Sequence, residues 1–179
     1  QISQRIQPMK KNHHKVRVKG KGFLMTYKVA VLMGSPNDAE KMAPAAETLN
    51  RYGIEANIFV MSAHRSPDQV SKFAKSARDE GYVAFICGAG MAAHLAGAVA
   101  AHSTLPVIGV PLSGGAINGW DSLLATVQMP KGIPVATVAV DGAMNAALLV
   151  VEMLAVTDSA LATELDVHRE EMTPKDSQL

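Results

Sequence analysis

Residues 28–53 read KVAVLMGSPNDAEKMAPAAETLNRYG, and this stretch decides the fold. Lys28–Met33 is an apolar run of strand length, with valine, alanine and leucine on both parities. A strand reads this way when both its faces are buried. Gly34-Ser35-Pro36-Asn37-Asp38 then breaks the run with turn-forming residues. Ala39–Tyr52 follows as a helix-like segment, and Gly53 stands where a left-handed helix cap costs glycine least. Pro44 falls inside that helix, where it removes a backbone donor and predicts a kink.

The same unit recurs along the chain. Further strand-length runs are expected at Ala56–Met61, Val83–Cys87, Val107–Val110 and Val135–Val140. Helices are expected at Pro67–Glu80, Ala92–His102, Trp120–Gln128 and Ala143–Val156, with a last polar helix over Asp158–Met172. Pro67 suits a first helical position behind Ser66 as N-cap, and Gly81 closes that helix as Gly53 closes the first. Strict alternation of strand and helix predicts an α/β domain: an open parallel sheet, helices on both faces, right-handed crossovers.

Charge is unevenly spread around this body. The chain of 179 residues has 17 Lys+Arg and 16 Asp+Glu, a formal charge of +1. Residues 1–24 hold seven bases and no acid, leaving ten bases against sixteen acids in residues 25–179. The leader is expected to be a basic, flexible extension with Met25 as the natural start, and residues 25–179 a single domain. An acidic body with 4% aromatics argues against a nucleic-acid partner. No apolar run reaches the roughly 20 residues of a membrane span, so no membrane partner is expected. One cysteine, Cys87, excludes a disulfide framework and a cysteine zinc site. No secretory signal pattern follows the basic leader. A cytoplasmic location is expected.

Ligands of open parallel sheets bind beyond the carboxyl ends of the strands. Four loops fall there: Gly34–Asp38, Ser62–Pro67, Gly88–His94 and Pro111–Gly115. Their small residues let backbone N–H groups approach an anion, with helix N-termini adding positive potential. Ser35 offers a hydroxyl, and Arg65 offers a two-pronged donor for phosphate. Asp38 either accepts ribose hydroxyls or caps the first helix. Gly88-Ala89-Gly90 lacks the third glycine of the dinucleotide fingerprint, and the phosphate-loop lysine motif is missing, which disfavours nicotinamide and ATP enzymes. His64 and His94 end successive loops, and imidazole suits proton transfer near neutrality. They lack the spacing of a metal site. Cys87 and most methionines read as core, and Trp120 beside Asp121 as an interface or a wall of the site.

At these loops the chain resembles the PurE family of purine biosynthesis. The resemblance rests on Met33-Gly34-Ser35 with Asp38, Ser62-Ala63-His64-Arg65, Gly88-Ala89-Gly90 through Ala92-Ala93-His94-Leu95, Gln128-Met129-Pro130 with Gly132-Ile133-Pro134-Val135, and Asn145-Ala146-Ala147. It runs from about Val29 to Leu154, and the Ser-Ala-His-Arg and Gln-Met-Pro segments resemble the class I branch, the N5-carboxyaminoimidazole ribonucleotide mutases. The resemblance implies a three-layer, flavodoxin-like fold, a homo-octamer, a nucleotide substrate with a 5′-phosphate, and neither metal nor organic cofactor. It implies that Ser35, Asp38 and Arg65 hold the ribose phosphate, and that Ser62 and His64 lie beside the reacting imidazole with His94 near. It places the Ala89-Gly90 backbone along the carboxylate site. Met91 stands where many relatives carry glycine, Ala96 where many carry proline, and Pro36-Asn37 replaces the commoner pair before Asp38.

The implied chemistry moves a carboxylate from the exocyclic nitrogen to C4 of one ribonucleotide. His64 is the expected acid and then base. Two rival readings share the fold: a class II enzyme that carboxylates aminoimidazole ribonucleotide directly with CO2, and a non-catalytic nucleotide- or flavin-binding module.

Overall fold

The computed structural model describes residues 27–174; the basic leader and the expected start at Met25 lie outside them. Five strands form one parallel sheet in the order β2-β1-β3-β4-β5. They are β1 (Lys28–Met33), β2 (Glu55–Val60), β3 (Tyr82–Gly90), β4 (Val107–Leu112) and β5 (Ala136–Thr137). The helices are α1 (Ala39–Arg51), α2 (Pro67–Ser76), α3 (Leu95–Ala100), α4 (Trp120–Val127), α5 (Ala143–Ala155) and α6 (Ser159–Met172).

The two-parity reading of the strands is borne out in β1, β3 and β4. Val29, Val31 and Met33 point into one core with Ala84, Ile86, Ile108 and Val110, under α1 and α5. Ala30 and Leu32 point into the other with Phe85, Cys87 and Val107, under α2 and α3. Each central strand is thus covered on both sides, the three-layer arrangement expected. β2 differs. It is an edge strand, and Ile58 and Val60 stay 53% and 40% exposed, because no neighbour covers its outer side in the single chain.

β5 is a correction. The run Val135–Val140 forms only two ladder residues. Val138 N–H reaches Gly109 O at 3.1 Å, but the next bond to β4 comes from Asp141 to Pro111 O, at 2.8 Å. A parallel ladder advances two residues per bond, so one extra residue is inserted here. Pro111 also has no N–H to return to the neighbouring strand. The third helix is shorter than Ala92–His102 as well. Met91 sits at φ +51°, and the chain turns through Ala92 and Ala93 before α3 begins at Leu95.

The second helix also stops early, at Ser76 instead of the expected Glu80. Gly53 and Gly81 lie at φ +71° and +84° after their helices. Pro44 lies inside α1 without interrupting it; the carbonyl it leaves unpartnered belongs to exposed Glu40, where water satisfies it. Asp158 caps α6 through Ala160 N and Leu161 N. None of the described helices is long and apolar enough to cross a membrane.

Candidate active site

The strand order reverses between β1 and β3, since β2 lies on one side of β1 and β3 on the other. Such a switch point splays the loops above it into a crevice. The candidate residues following β1, β2 and β3 all stand at this end.

Two serines shape the His64 loop. Ser66 Oγ accepts from Ser62 N at 3.1 Å and donates to Ser62 O at 3.1 Å. Ser62 Oγ accepts Arg65 N–H at 3.2 Å. Ser66 therefore holds the N-cap position of α2 without a side-chain cap bond, because its hydroxyl is committed to the turn. This turn exposes His64 and Arg65 to the crevice. His64 Nε2 lies 2.8 Å from His94 Nδ1, with the rings edge to face. The tautomers decide which nitrogen donates.

Arg65 reaches across to the first loop. Its Nη2 donates to Gly34 O at 2.8 Å. There, Ser35 Oγ accepts from Asn37 N, and Asp38 Oδ2 accepts from Ser35 N at 3.0 Å. Asp38 occupies the position before α1 but makes no side-chain cap to it. Of its two expected roles, the helix cap gives way to bracing the loop that carries Ser35. Burial raises the Asp38 carboxyl above its ordinary value, offset in part by Ser35 N–H, Lys41 and Arg65.

β3 and β4 form the floor. Gly90 pairs with Leu112, and a Cβ on Gly90 would lie 3.4 Å from Leu112 O. Ala89 and Gly90 are half-buried, their backbone near the crevice surface. Met91 is 60% exposed. A Cβ on Gly115, in the loop after β4, would lie 3.3 Å from Met91 Cγ. Cys87 is buried and its thiol is pushed well up by burial, which fits a core residue rather than a nucleophile.

Three residues that sequence reasoning did not single out join this site. Lys41 Nζ donates to Ser113 O at 2.5 Å and Ser113 Oγ at 2.6 Å. Asp141 accepts from Ser113 N at 2.9 Å and from its hydroxyl at 2.5 Å. Lys41 and Asp141 are 3.7 Å apart. One signal was available: a lysine in the first turn of a helix opposes the dipole there and needs a compensating anion.

No group of three or more His, Cys, Asp or Glu among the described residues is arranged to hold a metal. A groove of about 880 Å³ lies at the other end of the sheet, lined in part by Arg78, His102, Pro106 and Met153. It contains none of the candidate site residues.

The fold and crevice define an α/β protein of flavodoxin-like strand order, with a histidine pair in the crevice at its switch point. The sequence model of the AIR carboxylase family matches residues 28–175, and the chain belongs to that family. An N5-carboxyaminoimidazole ribonucleotide mutase of Brucella melitensis is 51% identical over 151 residues, covering 83% of this chain and 93% of the relative. One of Saccharolobus solfataricus is 50% identical over 145 residues, covering 81% and 92%. Among solved structures, Treponema denticola PurE matches with a TM-score of 0.73 at 28% identity, covering 80% of this chain and 90% of that one.

Proposed function

We propose that this chain catalyses the reaction for which those relatives are named, the isomerisation of N5-carboxyaminoimidazole ribonucleotide to 4-carboxy-5-aminoimidazole ribonucleotide in purine biosynthesis. The observation that carries the site assignment is the His64–His94 pair, 2.8 Å apart, in the crevice that also holds Arg65 and Ser35.

The chemistry needs one proton delivered and one removed. His64, as imidazolium, protonates the exocyclic nitrogen of the carbamate; the N–C bond breaks and CO2 leaves. The electron-rich C4 attacks that CO2, forming the C–C bond. Neutral His64 then takes the C4 proton, and the ring regains aromaticity. His94 supports the cycle by exchanging a hydrogen bond with whichever form His64 holds. Arg65, Ser35 and Asp38 bind the ribose phosphate. Arg65 supplies the charge, Ser35 a free hydroxyl hydrogen, and Asp38 an acceptor for ribose. Ser62 keeps the His64 turn in place, and the Ala89-Gly90 backbone lines the carboxylate site. The scheme uses no metal and no organic cofactor.

Residues 25–179 form the catalytic domain in this reading, outside the basic leader, and the enzyme works in the cytoplasm as a homo-octamer. Trp120, Leu124 and Val127 support assembly: they are 66%, 52% and 46% exposed and recur on one face of α4 at helical spacing. Apolar surface of this kind calls for cover.

The test is turnover of His64→Asn on N5-carboxyaminoimidazole ribonucleotide, beside aminoimidazole ribonucleotide with bicarbonate. The expected result is loss of product with product binding retained, and no direct carboxylation by the unaltered enzyme. Near-normal turnover by His64→Asn removes the acid/base assignment.

A further inference from the structure

The mutase chemistry proposed above has one hazard: the CO2 released midway must not escape. The floor of the carboxylate site is Ala89-Gly90, and the β4 chain lies directly against it, Leu112 pairing with Gly90. The next residues, Ser113 to Gly115, form the wall beside Met91: a Cβ on Gly115 would lie 3.3 Å from Met91 Cγ. This wall is a glycine-rich loop. Gly114, Gly115 and Gly119 all have positive φ, and Ile117 and Asn118 are exposed. Such a loop has little intrinsic stiffness.

Ser113 is where it is fastened. Its N–H, hydroxyl and carbonyl are all engaged, by Asp141 and Lys41. Lys41 comes from the first turn of α1, Asp141 from the turn before α5. One serine is thus tied to both flanking elements. Asp141 adopts φ +58°, a conformation that non-glycine residues rarely take, and its backbone N–H is held by Pro111 O at 2.8 Å. The far end of the loop has its own anchor, Ser122 Oγ donating to Leu112 O at 2.8 Å.

The geometry points to Lys41, Ser113 and Asp141 as positioning residues that clamp the loop after β4 against Gly90 and Met91, so that CO2 released in the crevice is retained until C4 captures it. None of the three donates or removes the reacting proton. They act through the loop. Their loss changes the fate of the intermediate more than the rate at which it forms.

This inference rests on the decarboxylation–recarboxylation reading, and partition of the product is the readout that separates them. The probe is N5-carboxyaminoimidazole ribonucleotide at saturating concentration. Its consumption, the 4-carboxy product, and free aminoimidazole ribonucleotide are followed together, with spontaneous carbamate loss subtracted. For Lys41→Met, Ser113→Ala and Asp141→Ala, consumption falls less than product formation. The share released as aminoimidazole ribonucleotide and CO2 rises about tenfold, within the range that small misplacements of a reacting group produce. Lys41→Arg, which keeps the cation, restores much of the native share. A native partition in Lys41→Met and Ser113→Ala, both folded by circular dichroism, overturns the clamp. Failure of the underlying reading looks different: the unaltered enzyme then yields no 4-carboxy product from this substrate. Should Asp141→Ala fail to fold, the other two variants decide the matter.

Discussion

Gly109, in the middle of β4, allows a stability prediction worked from distances. A Cβ placed there would lie 2.4 Å from Thr126 Cγ2, 3.0 Å from Val135 Cγ1 and 3.3 Å from Ala96 Cβ. Comfortable carbon contacts lie near 3.5–4.0 Å, so the first overlap is roughly 1 Å or more. The neighbours cannot easily yield. Thr126 is buried, and its hydroxyl donates to Ser122 O at 2.7 Å, so turning its side chain breaks a buried hydrogen bond. Ala96 has no side-chain rotamer to change. Overpacking of this kind costs about 1–3 kcal/mol, and with three contacts the upper half of that range is expected for Gly109→Ala. For a body of this size that lowers the melting temperature by about 4–12 °C. Gly88→Ala supplies the contrast. Its Cβ would clash even more closely on paper, at 2.2 Å, but with Met42 Sδ, the far part of a flexible side chain. Its cost should be the smaller of the two. The assay is calorimetric or circular-dichroism melting at one protein concentration, with Thr126→Ser as a partner. Thr126→Ser removes the offending methyl and keeps the hydroxyl bond. It costs about 1 kcal/mol alone, and it should recover at least about 1 kcal/mol in the double variant. If Gly109→Ala melts with the native protein, or if the two substitutions merely add, the steric argument is wrong.

Two further outcomes follow from the site. Arg65→Ala removes a charge-assisted clamp worth about 1.5–3 kcal/mol, so KM for the ribonucleotide should rise about 10- to 100-fold with kcat changing less; steady-state kinetics at fixed salt checks it, and an unchanged KM removes the phosphate role. For Asp141, burial works against ionisation, but the Ser113 hydroxyl and N–H and Lys41 outweigh it and hold the carboxyl below its ordinary value. A lowered acid contributes stability that is present above the unfolded value of about 4 and lost as pH falls through the folded one. Melting temperatures between pH 3 and 6 should therefore fall less steeply for Asp141→Asn than for the native chain. Asp38 runs the other way, its raised value favouring the folded state on protonation, so the comparison must be made on Asp141 alone.

The strands and most helix limits were legible because burial on two faces writes itself as valine, isoleucine and alanine on both parities. β1 and α1 show this most clearly. β5 was not legible. Val135–Val140 is as apolar as any strand, and what stops it is one inserted residue and the missing N–H of Pro111, a property of its neighbour. That the candidate residues after β1, β2 and β3 stand together at one end of the sheet was legible, because serine, histidine and arginine at strand ends have few structural reasons to be there. Lys41, Ser113 and Asp141 were not, since each is ordinary in its own segment. They acquire a role only when α1, the loop after β4 and the turn after β5 meet in space, and no local pattern encodes that meeting. Asp38 was legible only as a carboxylate at a strand end: its side chain accepts Ser35 N–H instead of capping α1.

The strand order has a consequence for how the molecule comes into being. Ser35, Asp38, Ser62, His64, Arg65 and His94 all belong to the β2-β1-β3 part of the sheet, which leaves the ribosome first, whereas Ser113 and Asp141 arrive later with β4 and β5. The candidate residues of the crevice are written in one continuous half of the gene, and most of the wall beside them in the other. The same division exposes the nascent chain for a time with its reactive loops made and their enclosure still unmade.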